Sequence, residues 1–343
     1  MQANYNLKSL NTFGIAAIAA QYVAIHHPDE LSQLLPQLQS NSPCLILGGG
    51  SNLLLPDYYP GLVLHNCIKF IKVVEERENE VIVRAGGGVN WHEFVLWTLQ
   101  QGFGGLENMA LIPGTVGAAP VQNIGAYGRE LKDVFLRLEA LELSTGKTRT
   151  FSNEDCQFGY RDSFFKQPEN RNGFLITSVS FLLTKQKHQL YTHYGAIQEQ
   201  LEHKQIKQPS PQDVAAAVIE IRRSKLPDWR IYGNAGSFFK NPVISEAHFK
   251  QLQTQFPSIP SYPAGTSQVK VPAGWLIDQC GWKGQRQGAV GCYKHQALVI
   301  VNHGGATAAE ILAFSTLIMK DVQEKYGIEL EREVNAISTT LTP

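Results

Sequence analysis

The nine residues Asn234-Ala-Gly-Ser-Phe-Phe-Lys-Asn-Pro242 place a serine between an Ala-Gly step and two phenylalanines, with Lys240 and Asn241 just beyond. Glycine lets the backbone approach a ligand closely. The phenylalanines exclude water, which strengthens the charges and hydrogen bonds beside them. Ser237 in that setting can donate a proton, provided a cation such as Lys240 or Lys225 helps its hydroxyl ionise. The plain alternative is a turn in which Ser237 caps a following helix. A second group is Phe158-Gly-Tyr-Arg-Asp-Ser163. There Arg161 is a candidate carboxylate clamp oriented by Asp162, and the alternative is a structural Arg–Asp pair in a loop. A third, Ile328 to Val334, carries Glu329, Glu331 and Glu333 at alternate positions, ordinarily the mark of a solvated strand face.

Three glycine-rich stretches surround this chemistry. Cys44-Leu-Ile-Leu47 reads as a strand and empties into Gly48-Gly-Gly-Ser-Asn52. Strand, glycines, then serine and asparagine is the layout of a phosphate cradle built from backbone N–H groups. A glycine-rich hairpin is the alternative. A dinucleotide fingerprint would need glycine where Leu53 stands, and a P-loop ending at Gly146-Lys-Thr148 would need glycine where Leu141 stands. Both are therefore unsupported. Gly86-Gly-Gly88 is the second stretch, and Gly104 to Gly128 the third. Gln122 and Asn123 in the last can each offer a paired donor and acceptor to a flat heterocycle. Together the three predict a large flat cofactor with a diphosphate.

Around them the elements alternate. Val81 to Ala85, Leu136 to Leu143 and Gly173 to Leu183 read as strands. Asn90 caps a helix from Trp91 to Leu99, and Pro28 opens one reaching about Leu38. Ser210-Pro-Gln-Asp213 opens another, with Val214, Ala217, Val218 and Ile221 on its apolar face and Arg222, Arg223 and Lys225 at its end. Such cations are usually dipole partners. Thr307-Ala-Ala-Glu310 is a capping box, and Ile328 to Val334 reads as a strand.

A chain of 343 residues is long enough for two or three domains. Thirty basic residues balance thirty acidic ones, which argues against a broad nucleic-acid footprint. Five cysteines without a Cys-x-x-Cys pair indicate neither a zinc ribbon nor a disulfide framework. No metal site is expected. No apolar run approaches the ~20 residues needed to span a bilayer, and the N-terminus lacks a signal-peptide core. A soluble cytoplasmic protein is expected.

Gly48-Gly-Gly-Ser-Asn52, Ile112-Pro-Gly-Thr-Val-Gly-Ala118 and Gln122-Asn-Ile-Gly-Ala-Tyr-Gly128 resemble the FAD-binding half of the UDP-N-acetylenolpyruvoylglucosamine reductase family. That half is similar to the vanillyl-alcohol-oxidase type of FAD domain. The resemblance spans almost the whole chain and implies an α+β fold, with FAD subdomains at residues 1–67 and 68–208 (the oxidase-type region covering about 15–185) and a substrate domain at 209–343. It assigns Gly48, Gly49, Gly50, Ser51 and Asn52 to the FAD pyrophosphate. Pro113, Gly114, Thr115, Gly117, Ala118, Gln122, Asn123, Gly125, Ala126 and Tyr127 would line the ribityl chain and the isoalloxazine.

The implied reaction is NADPH-dependent reduction of UDP-N-acetylglucosamine enolpyruvate to UDP-N-acetylmuramate, a step in peptidoglycan precursor synthesis and so in cell-wall formation and division. Ser237 would supply the proton, and Arg161 and Glu333 would stabilise the substrate carboxylate. Tyr194, Lys225, Asn241 and Gln296 would bind the nucleotide sugar, with Tyr194 on a loop that one form of the family carries. A monomer is expected. The chain departs from the family at Asn335, where arginine is common. Two other readings stay open: a different oxidoreductase on the same FAD fold, and a nucleotide-sugar binder without catalysis.

Overall fold

The computed structural model describes residues 1–38 and 43–338. It divides into two compact units: residues 1–5, 19–50 and 60–224 form the first, and 6–18, 51–59 and 225 onward the second.

Two larger sheets lie mainly in the first unit. One orders its strands Gln2–Asn6, Ile18–Ile25, Tyr58–Asn66 and Cys44–Leu47. The last two run parallel, with Cys44 opposite Leu62 and Leu47 opposite His65. The other is antiparallel, in the order Thr148–Ser152, Phe135–Glu142, Phe174–Thr184, Glu80–Gly86, Ile71–Glu76. Its central strand, Phe174–Thr184, is buried for most of its length, as a run rich in β-branched and aromatic residues dictates. Arg84 reaches across it, donating to Ser178 Oγ at 2.9 Å and pairing with Glu139.

Helix Trp91–Gln100 begins where Asn90 Oδ1 accepts the Glu93 N–H, as its sequence predicts. Trp91, Phe94 and Phe181 form an aromatic cluster at its base. Helix Pro211–Lys225 packs Val214, Ala217, Val218 and Ile221 into the same core. The segment after Pro28 is instead a 3₁₀ turn over Pro28–Gln33 followed by the short helix Leu35–Leu38. Pro36, which lacks an N–H, breaks the regularity there.

The second unit is built on the strands Arg286–Gln287, Val290–Tyr293 and Gln296–Asn302, with helix Ala308–Tyr326 beside them. Thr307 and Glu310 close the capping box, and Gly327 ends the helix at φ +64. Ile328 to Val334 departs from expectation. Its burial alternates, with Ile328, Leu330 and Val334 inside, yet among the described residues it pairs only through the Phe239–Arg332 bridge. A short strand forms just after it, Asn335–Ala336, parallel to Leu53–Leu54. All five cysteines are free thiols. No helix among the described residues is long and apolar enough to cross a membrane.

Candidate active site

In the first unit the glycine-rich stretches are pressed against each other. A Cβ on Gly48 would stand 2.6 Å from Thr115 Oγ1 and 3.2 Å from the Ala118 Cβ. One on Gly49 would stand 2.8 Å from the Gly114 Cα. Gly117 lies equally close to Gly87, and its N–H donates to the Gly87 carbonyl at 2.8 Å. These glycines are therefore needed for loop-on-loop contact, which brings Gly48–Gly50 beside Gly114–Ala118. Thr115 Oγ1 is buried there without a hydrogen-bond partner. An unpaired buried hydroxyl costs about 1–3 kcal/mol, so this cradle fits a polar ligand that satisfies it.

Beyond Gln122, which ends the 3₁₀ turn Ala119–Gln122, the chain makes a hairpin of Gly125–Ala126 with Arg129–Glu130. Tyr127 and Gly128 at its tip both have positive φ, +50 and +83, as a two-residue primed turn requires. Asn123 contradicts the reading that its amide faces a heterocycle. It is fully buried, and its Nδ2 donates to Glu130 Oε2 and to the Gly159 carbonyl, both at 3.0 Å. Its Oδ1 accepts the Lys132 N–H at 3.1 Å. Those protein groups use both ends of the amide.

Arg161 lies in a two-residue turn closed by main-chain bonds between Gly159 and Asp162. Its φ is +55, and its Nη2 donates to the Gly125 carbonyl at 2.8 Å. The Asp162 carboxylate accepts the Ser163 N–H at 2.9 Å. Arg222, read from the sequence as a helix-dipole partner, belongs to this cluster. Burial holds its guanidinium below the usual arginine range; a hydrogen bond to Tyr127 opposes that shift and the nearby Arg161 adds to it. Burial pushes the Tyr127 phenol up, and Arg222 pulls it back. The Tyr194 ring, half exposed, meets the Tyr127 ring edge to face at 5.2 Å. Two cations, Arg222 and Arg161, thus come near each other beside Tyr127. Sequence spacing gives no sign of Arg222, because its partners lie in three other segments.

The second unit holds the serine. No helix follows Ser237, which removes the capping alternative. Asn234 Oδ1 accepts the Gly236 N–H at 3.0 Å, and Gly236 takes φ +71, a conformation that favours glycine. This turn leaves Ser237 partly exposed while Phe238 and Phe239 are buried. The Phe238 N–H donates to the Leu298 carbonyl at 2.8 Å, and its carbonyl accepts the Glu333 N–H at 2.9 Å. Ser237 and Glu333 are thus carried on paired backbones.

Lys240, one of the two cations considered for Ser237, is paired with Glu331. Lys225 ends its helix exposed to solvent. Asn241 Oδ1 caps helix Ala273–Gln279 by accepting the Ala273 N–H at 2.9 Å. Gln296 Oε1 accepts the Leu298 N–H at 3.3 Å. Asn52 Nδ2 donates to the Glu333 carbonyl at 3.3 Å, and the Asn52 carbonyl accepts the N–H and side-chain amide of Asn335. Asn335 thus ties Asn52 to the short strand beside Glu333.

Residues 19–152 match the family described as FAD binding domain, and residues 228–337 match UDP-N-acetylenolpyruvoylglucosamine reductase, C-terminal domain. The chain is 49% identical to the UDP-N-acetylenolpyruvoylglucosamine reductase of Flavobacterium johnsoniae, over 98% of this chain and 99% of that one. It is 48% identical to the enzyme of that name from Chromobacterium violaceum, over 97% of each. The crystal structure of the Thermus caldophilus reductase superposes with a TM-score of 0.68 at 24% identity, covering 97% of this chain and 98% of that one, which supports the fold. The α+β fold, with its FAD-binding domain and C-terminal domain, is as the sequence predicts. The chain belongs to the UDP-N-acetylenolpyruvoylglucosamine reductase family.

Proposed function

We propose that this chain reduces the enolpyruvyl group of UDP-N-acetylglucosamine enolpyruvate with NADPH, using Arg161, Ser237 and Glu333 as its catalytic residues. FAD, when bound, would supply hydride chemistry at the methylene carbon of that group. Gly48 to Asn52, Pro113 to Ala118 and the hairpin through Tyr127 are the residues that would hold the cofactor. Hydride addition to an enol ether of a carboxylic acid pushes charge onto the carboxylate. A fixed cation and a neutral acid stabilise such a state. Arg161 is the cation, and Glu333 the hydrogen-bond donor when protonated. Ser237 gives the proton to the neighbouring carbon. Lys225 and Tyr194 bind the diphosphate, and Asn241 and Gln296 complete the nucleotide-sugar contacts. The protein acts as a cytoplasmic monomer.

The pairing of the Phe238 carbonyl with the Glu333 N–H carries this reading, because it fixes the proton donor and the acid on neighbouring backbones. The test is the pair of half-reactions followed by flavin absorbance. Ser237→Ala is expected to keep flavin reduction by NADPH and to slow reoxidation by substrate by about 10²–10⁴-fold, the usual scale for removing a general acid. Equal loss in both halves would sink the assignment.

A further inference from the structure

We propose that Asn123 is a positioning residue for Arg161, an inference that rests on reading Arg161 as the partner of the substrate carboxylate. Arg161 has a positive φ of +55, a conformation strained for a non-glycine residue. Such a turn persists only when its surroundings hold it. Three contacts do so here. Asn123 Nδ2 donates to the Gly159 carbonyl at 3.0 Å, before the turn. Ser163 Oγ donates to the Val121 carbonyl at 2.6 Å, after it. Lys166 Nζ donates to the Arg161 carbonyl at 2.9 Å.

Asn123 is the hub of this arrangement. Its other bonds go to Glu130 and to the Lys132 N–H, so one buried amide ties the Arg161 turn to the hairpin whose Gly125 carbonyl receives the guanidinium. Its own φ is +45, which asparagine tolerates better than most residues. An amide with every bond inside the protein holds geometry. What it holds is the guanidinium that meets a carboxylate, where about 1 Å of displacement is expensive.

The experiment is equilibrium binding to the FAD-loaded protein of two ligands that differ in one group. UDP-N-acetylmuramate carries the lactyl carboxylate; UDP-N-acetylglucosamine lacks it. Asn123→Gly removes the side chain while allowing the positive φ. It is expected to weaken UDP-N-acetylmuramate about tenfold and UDP-N-acetylglucosamine less than about twofold, with the flavin spectrum unchanged. In an Arg161→Ala background the effect of Asn123→Gly should disappear. Should Asn123→Gly not fold, Ser163→Ala, which releases the turn from its other end, is expected to discriminate between the ligands in the same direction. Equal weakening of both ligands, loss of flavin, or an undiminished effect without Arg161 would overturn the proposal. If Arg161→Ala itself failed to discriminate between the ligands, the reading of Arg161 would fall first and the proposal with it.

Discussion

The two units fix their loops by different means. In the first, glycine meets glycine: Gly49 against Gly114 and Gly117 against Gly87 leave no room for a single methyl group. In the second, the Ser237 turn is held by main-chain hydrogen bonds to the strand at Leu298 and to the segment at Glu333. The difference teaches which changes each region tolerates. Contact without side chains fails when any atom is added. A main-chain ladder survives side-chain changes and leaves the presented side chain free to serve chemistry.

The largest effect that separates the two regions is expected at Gly49. Gly49→Ala places a Cβ within 2.8 Å of the Gly114 Cα, and overpacking of this kind costs about 1–3 kcal/mol. We expect loss of bound flavin, read from the ratio of visible to ultraviolet absorbance, and a lowered Tm. Full flavin content at unchanged Tm would mean that the loops part easily and would erase the contrast.

A smaller effect is expected at Asn52. Asn52→Ala removes the bond to the Glu333 carbonyl but leaves the backbone bonds to Asn335. A single such bond contributes about 1 kcal/mol, so reoxidation by substrate should slow several-fold more than flavin reduction by NADPH does. Rapid-mixing absorbance measures both. A greater loss in reduction than in reoxidation would assign Asn52 to the cofactor alone.

The smallest effect concerns pH. His92 Nδ1 accepts the Leu111 N–H at 3.0 Å, a bond that needs the neutral ring. Burial, then Arg223 and Arg222, hold its pKa below the ordinary histidine value. The unfolded chain therefore binds the extra proton first as pH falls. The stability His92 contributes is complete above about pH 6.5 and is lost progressively as pH drops toward the lowered folded value. Thermal melts between pH 7.5 and 5.5 should show a steeper decline for the wild type than for His92→Gln. Parallel curves would remove His92 from the account.

What could be read from the chain was local. The caps at Asn90 and Thr307 each bond the N–H three residues on, so four-residue windows suffice to place those helices. The strands Phe135–Glu142 and Phe174–Thr184 announce themselves by alternation or by β-branched and aromatic content. The clasps could not be read. Asn123 bonds to Gly159 and Asn52 to Glu333, partners 36 and 281 positions away, whereas their local sequence points both asparagines toward a ligand. Arg161 was visible as a candidate through its neighbours, but its positive φ was not. Ile328 to Val334 carries acidic residues at alternate positions as a paired strand does, yet among the described residues a single bridge links it to Phe239.

The central claim, that this chain passes hydride from NADPH to an enolpyruvyl nucleotide sugar, is tested most directly by one anaerobic titration of the purified protein in the visible range. The account predicts a yellow protein that bleaches with NADPH and regains its colour when UDP-N-acetylglucosamine enolpyruvate is added. A protein that bleaches but does not recover its colour would contradict the substrate assignment, and a colourless one that takes up no added FAD would contradict the reading of its glycine-rich loops.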